Sequence, residues 1–341
     1  MDSKITKKRL SEMLQYDWIK IIATIVLAII VWELIFTVAG VRLTAGQNFK
    51  IYYYHTLSTG GADDLDDFID EKVDFSYDII TRGAENLMED YATTVLEARL
   101  SVAEGDIMFT DNIIYPFGNT EDSEYENKKE DSRYNKSNMY MLADNYNMYD
   151  YQTLAKDARE YLDSFKENGE LSDTLIESNF KKRMKKDNRF RKSADFKAGL
   201  VDEIARIERL EQEVTAFEWL LDTYKQTELF FNYTRYQYTY LYNCVEEYKE
   251  AYESQELKPY GINAGFLDKE EIRGERKSIA DIMCLNSGDN QGKAVDVAIM
   301  VFDFRNKQAD LQYETIVFIN AIIYNYSTLY DGTQFADLWK N

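Results

Sequence analysis

Residues 49–112 read FKIYYYHTLSTGGADDLDDFIDEKVDFSYDIITRGAENLMEDYATTVLEARLSVAEGDIMFTDN, and the order of patterns within them decides the fold class. Residues 49–57 are dense in aromatic and β-branched types, which predicts a strand. Ser58, Thr59, Gly60 and Gly61 make a turn. Asp63 and Asp64 begin a helix that runs to about Lys72, since acids in a first turn complement the positive end of the helix dipole. Val73, Phe75, Tyr77 and Ile79 alternate, which predicts a second strand ending near Thr81, Arg82 and Gly83. From Ala84 to Glu104, the residues Leu87, Tyr91, Val95, Ala98 and Val102 recur at steps of three and four. That spacing predicts an amphipathic helix, with Gly105 at its left-handed C-cap. Asp106 to Thr110 is a short third strand. Strand, helix, strand, helix, strand is the signature of an α/β fold with a parallel sheet.

Upstream, residues 18–41 are apolar and, at about 1.5 Å each, long enough to cross a hydrocarbon core of about 30 Å. Lys4, Lys7, Lys8 and Arg9 precede the span, and only Arg42 and Lys50 follow closely. The positive-inside bias predicts a single-pass protein of the cell membrane, with residues 1–17 as a cytoplasmic tail and the large C-terminal part extracellular. Trp18 and Trp32 read as interface anchors. Glu33 is either an intramembrane carboxylate or, beside Trp32, an outer-interface residue. A cleaved signal peptide is the competing reading, with Thr37, Val38 and Ala39 as its small-residue cleavage site.

Downstream, residues 119–138 are polar and mixed in charge, a surface loop or boundary. The pattern then turns helical to about 257. Leu200, Ile207, Val214 and Leu221 are spaced by seven, with Leu210, Phe217, Tyr224 and Phe231 three behind, which predicts one long helix packed within its own lobe or a coiled coil. Lys258, Pro259, Tyr260 and Gly261 leave the helical part; residues 294–304 read as a strand and 311–330 as a buried helix.

The formal net charge of −21 disfavours DNA or RNA as a partner, because phosphates would be repelled. Cys244 and Cys284 are able to pair but make no disulfide framework. His55 is the single histidine, which excludes histidine pairs and HExxH metal sites. No G-x-S-x-G, no metal-spaced Cys or His set and no G-x-G-x-x-G occurs. No catalytic residues, metal site or cofactor are expected. The acidic run from Asp63 to Glu71 lacks the glycine and alternation of a calcium loop, and residues 286–293 lack P-loop spacing and read as a turn.

Ligands of open α/β sheets bind beyond the carboxyl ends of strands. That rule selects Thr56, Ser58 and Thr59, then Thr81 and Arg82, then Thr110, Asp111 and Asn112. The same residue types also serve as caps and turn formers. A tyrosine cluster between Tyr224 and Tyr252 offers stacking faces or helix packing. The basic run KKRMKKDNRFRK, residues 181–192, is either a lipid-headgroup or polyanion surface or a solvated helix face paired with the chain's own acids.

Three blocks carry a family resemblance. LSVAEGDIMFTD at 100–111 resembles the "A-x-G-x-x-D" stretch before the third strand of bacterial extracellular solute-binding proteins of ABC importers. KPYGI at 258–262 is similar to that family's return segment, with Asn263 replacing a final proline, and residues 299–319 resemble its late strand-to-helix passage. The resemblance implies a periplasmic-binding-protein-like parallel-sheet lobe from 48–118 plus 259–341, with a mostly helical lobe, 119–258, inserted. It implies a small-molecule solute of saccharide type bound for an ABC permease, with Trp219 and Tyr260 added to the ligand set. The family's lipid-anchored cysteine is absent, and the bilayer would be held through residues 18–41 instead. A membrane-tethered interaction or scaffold protein of the cell envelope, without a small ligand, is the alternative.

Overall fold

Phe49, Ile51 and Tyr53 alternate with Tyr52 and Tyr54, and all five are buried. A strand covered on both faces belongs inside a sheet. The computed structural model describes residues 18–20, 22–34, 44–54, 56–58, 64–87, 91–113, 115–116, 135–234, 236, 246–254, 256–303 and 311–340. Its main sheet has six strands: β1 (Asn48–Tyr53), β2 (Thr81–Asn86), β3 (Ile107–Asp111), β4 (Phe230–Tyr233), β5 (Lys258–Asn263) and β6 (Val297–Val301). The order is β2-β1-β3-β6-β5-β4. β1 runs parallel to β2 and to β3, with Asn48 opposite Thr81 and Ile51 opposite Ile107. β6 is antiparallel to β3 and to β5, and β4 is antiparallel to β5. The class is α/β, as the first 64 residues of the pattern predict, but the sheet is mixed.

Seven helices matter to the packing: α1 (Asp64–Lys72), α2 (Ala92–Ser101), α3 (Asn138–Asn145), α4 (Tyr151–Asp163), α5 (Asp173–Arg183), α6 (Ser193–Tyr224) and α7 (Glu314–Tyr326). On one face Phe49, Ile51 and Phe109 share a core with Leu154 of α4, Leu210 and Phe217 of α6 and Phe318 of α7. On the other, Tyr52, Met108 and Met300 meet Leu96 of α2 and Leu142 of α3. Residues 44–341 form one compact unit. The helical stretch expected to make its own lobe shares this unit's core. Ile207, Val214 and Leu221 of the seven-residue stripe are buried within it, and Phe231 lies in β4 rather than in the helix.

The second strand is displaced from its expected place. Val73, Phe75 and Ile79 are buried, but residues 73–80 form a loop whose donors find other partners. Ile79 N donates to Ser76 O (2.9 Å) and Ser76 N to the Glu314 carboxylate (3.0 Å). An apolar alternation can be satisfied by a loop packed on a core; only the ladder distinguishes a strand. The strand itself is the polar edge 81–86, so the following helix starts at Ala92 instead of Ala84 and ends at Ser101.

Gly105 is not the cap of α2; Ala103 takes the left-handed turn (φ +57°). Gly105 has φ +130° and turns the chain into β3, where an added Cβ would stand 2.7 Å from Tyr52 Cε2. Gly105→Ala is expected to cost about 2–4 kcal/mol, from backbone strain plus overpacking. Gly169→Ala, at φ +90° with nothing within 4 Å, isolates the backbone share. Urea unfolding of the two variants should show the larger loss at Gly105; equal losses would remove the packing argument.

The N-terminal unit comprises residues 1–43. Helix is described over 18–20 and 22–34, with Trp18, Ile22, Leu27, Ile30 and Trp32 exposed. Among the described residues no helix is long and apolar enough to cross a membrane. Residues 35–41 of the expected span, and the cleavage-site alternative within them, lie outside the described residues.

Candidate binding site at the carboxyl ends of the central strands

β1 leads to β2 on one side and the chain returns to β3 on the other, so strand order reverses between β1 and β3. Crevices open at such points because the loops leaving the two strands diverge. Here the loops are stitched together. The buried Asp111 carboxylate, at the end of β3, accepts from the Thr56 hydroxyl after β1, from Asn138 Nδ2 of α3 (2.6 Å) and from Ile113 N (3.2 Å). Asn112 N donates to Asp296 O (2.6 Å), and Asn112 Oδ1 accepts from Ser137 Oγ (2.9 Å). Thr110 Oγ1 is buried without a hydrogen-bond partner among the described residues. Burial, together with the nearby Asp111 charge, pushes the Asp296 carboxyl above its ordinary value.

A third loop joins them. Leu57–Ser58 pairs antiparallel with Cys284–Leu285, and Asn286 N donates to Thr56 O (3.0 Å). Residues 286–293 are the turn expected from sequence, closed by Leu285 N to Lys293 O (3.0 Å). Ser58, Asp281, Cys284, Asn286 and Gln291 line a polar cavity of about 340 Å³ at this end of the sheet. Cys284 is buried with Ser58 Oγ at 3.8 Å, and Cys244 lies outside the described residues.

Of the residues selected from sequence, Thr56, Ser58, Asp111 and Asn112 thus gather in one place, while Thr59 lies outside the described residues. Arg82 does not join them. It stands near the start of β2, at the amino ends of the strands, paired with Asp70 (3.4 Å) and over the Phe75 ring. Its expected position followed from ending the second strand where it actually begins. Trp219 packs on α6 against Tyr224, Tyr330 and Phe335. Tyr260 is on β5, edge-on to Tyr233, and lines a separate cavity of about 450 Å³ with Asp150, Tyr236, Lys258 and Asp303. Ser137 and Asn138 were missed. Their signal was a serine cap, Ser137 Oγ accepting from Tyr140 N (3.2 Å), at the close of a polar run. Of the tyrosine cluster, Tyr233 is core and Tyr236 stacks on Tyr248; Tyr238, Tyr240 and Tyr242 lie outside the described residues.

The opposite end of the sheet holds a network of buried charge. Arg206 of α6, 3% exposed, grips Glu203 through Nε (3.0 Å) and Nη2 (2.9 Å) and donates to the Tyr161 hydroxyl (2.8 Å). Glu314 faces Arg206 (3.7 Å) and Arg209 (2.9 Å). Arg183 reaches Glu203 (2.6 Å), and Arg189 reaches Asp78 (2.5 Å). The surrounding guanidinium groups hold the Glu203 carboxyl below its ordinary value despite the desolvation that opposes them. Among the described residues no group of three acidic, histidine or cysteine side chains is placed to hold a metal ion. Comparison with family models, with curated proteins and with solved structures finds no match to this chain.

Proposed function

We propose that this chain is a membrane-tethered, extracytoplasmic binding protein, without catalysis of its own, that takes a small polar solute of saccharide type for an ABC permease. The observation that carries the reading is the convergence of three loops beyond the carboxyl ends of β1 and β3, beside a polar cavity lined by Ser58, Asn286 and Gln291. Hydrogen-bonding groups around a volume of this size suit a neutral polyhydroxylated molecule. The tether reading is supported by the apolar side chains exposed along residues 18–34. The likeness to one lobe of extracellular solute-binding proteins is supported by the contribution of both 48–111 and 258–301 to one sheet.

One observation favours a scaffold without a small ligand. The helical stretch lies on the sheet within a single unit, so the described residues of 44–341 offer no second lobe to close over a solute. Thermal unfolding of the full chain in detergent, screened against mono- and oligosaccharides, amino acids and anions, separates the two. A ligand at a hundred times its dissociation constant adds about 2.7 kcal/mol and should raise the midpoint by a few degrees. Asn286→Ala should abolish the shift while Lys258→Ala, in the other cavity, preserves it. The reverse pattern would move the site to the Tyr260 cavity, and a flat screen would sink the solute reading.

A further inference from the structure

The basic run at 181–192 divides into two kinds of residue. Arg183 and Arg189 turn inward and are consumed by Glu203, Asp78 and Asp187. Lys181, Lys182, Lys185, Arg191 and Lys192 are exposed and form no ion pair among the described residues. The inward arginines fix where the outward charges stand. Asp78 Oδ1 accepts from Arg189 Nη2 (2.5 Å) and also from Gln47 Nε2 (3.1 Å). Gln47 closes the turn Ala45–Gln47, and Ile80 N donates to its carbonyl (2.8 Å). One carboxylate oxygen therefore ties the basic loop to the first residues of the folded unit, which begins at Thr44.

Thr44 follows Val41, the end of the expected span, by three residues, which reach at most about 10 Å. Several acids at this end of the sheet are matched: Asp70 by Arg82, Asp74 by Arg209 and Glu104 by Arg99. Exposed Asp173, Glu177, Asp195 and Asp202 flank the run, four acids against its five exposed cations and Lys197, which leaves a cationic surplus. A unit this acidic overall is repelled by an anionic bilayer everywhere except at such a patch.

We propose that Lys181, Lys182, Lys185, Arg191 and Lys192 form a cationic face that rests on the anionic phospholipid surface of the bilayer holding the tether. The proposal depends on the tether reading above and adds an orientation to it: α5 and the start of α6 lie against the headgroups. The test uses the full chain in nanodiscs of phosphatidylcholine alone and of an equal mixture with phosphatidylglycerol. Amide hydrogen exchange across 181–192 should slow at least about tenfold in the anionic discs. High salt should erase the difference. So should Lys181→Gln combined with Lys182→Gln, Lys185→Gln and Lys192→Gln, exposed positions without ion pairs among the described residues, where charge removal should move the unfolding midpoint little. Salt-resistant flotation with liposomes reports the tether separately. A chain that floats but exchanges equally in both discs overturns the cationic face alone, and a chain that fails to float overturns both. Slowing by a soluble glycerol-phosphate polymer, with none in the anionic discs, gives the face to an envelope polyanion and overturns the bilayer contact.

Discussion

Replacing Arg206 with leucine is expected to lower the unfolding free energy by about 2–3 kcal/mol, because Glu203 and Glu314 lose part of the charge that offsets their burial. Arg206 is the centre of the charged layer between α6 and α7, facing Glu203 at 2.9 Å and Glu314 at 3.7 Å. Without it, Glu203 keeps Arg183 and Glu314 keeps Arg209, each still within 2.9 Å, so the carboxylates are weakened rather than orphaned. The Tyr161 hydroxyl also loses its donor (2.8 Å). Arg206→Lys should recover less than half, since one ammonium cannot reproduce the fork that holds Glu203 through two nitrogens. Urea unfolding of the full chain in detergent, followed by far-UV circular dichroism, measures both. A loss under about 1 kcal/mol would show that the buried network is energetically neutral.

The second large effect runs with pH. Asp106 sits where β3 begins, buried, with Lys50 N donating to its carboxylate (2.8 Å). Desolvation outweighs that hydrogen bond, and Glu104 adds to it, so the carboxyl is pushed up from 3.8 to about 7. Glu213 in α6 is pushed up from 4.5 to about 7 by burial, although Asn320 (2.7 Å) and Trp339 (2.9 Å) donate to it. Both groups bind a proton more tightly folded than unfolded. Their penalty is therefore absent below the unfolded values, grows as pH rises, and is complete above about 7. Glu203 has the opposite sign: its lowered value gives stability that is lost on acidification below its ordinary 4.5. Stability should peak between these limits. Asp106→Asn keeps an acceptor for Lys50 N and removes the charge, so it should stabilise by about 2–4 kcal/mol at pH 8 and by almost nothing at pH 4. Unfolding midpoints at the two pH values check this, and a gain independent of pH would refute the titration as its cause.

These two sites also mark what a linear sequence conceals. The strand at 48–53 was legible because its residues are apolar on both faces, and the helix at 314–326 because it is apolar nearly all round. The edge strand at 81–86 was not, since Thr81, Arg82, Glu85 and Asn86 carry no period-two apolar signal. They form a strand only because β1 lies beside them. Residues 73–80 sent the opposite false signal, their apolar side chains serving a loop. Of the candidate site, Thr56, Asp111 and Asn112 were legible because the rule about carboxyl ends needs only strand order. Asn138 and Asn286 arrive from distant segments, and nothing local announces them. The charges of 203–209 carry no local sign of burial between the apolar stripe positions, and only Arg183 and Glu314, outside the stretch, turn them into an interior.

The pairing of β3 with β6 also sets an order on folding. Val301 lies opposite Ile107, so the centre of the sheet joins two segments with most of the chain between them. β1, β2 and β3 are synthesised early, but β3 keeps an unfilled ladder edge until residues 297–301 emerge. The apolar stripes of α4 and α6 pack in the same core as β6, so their full burial depends on that closure. Such long-range closure is slow, and the exposed edge of β3 is the segment most open to pairing with another copy during biosynthesis. A chain interrupted before Val297 would lack not merely a terminal helix but the strand that completes its middle.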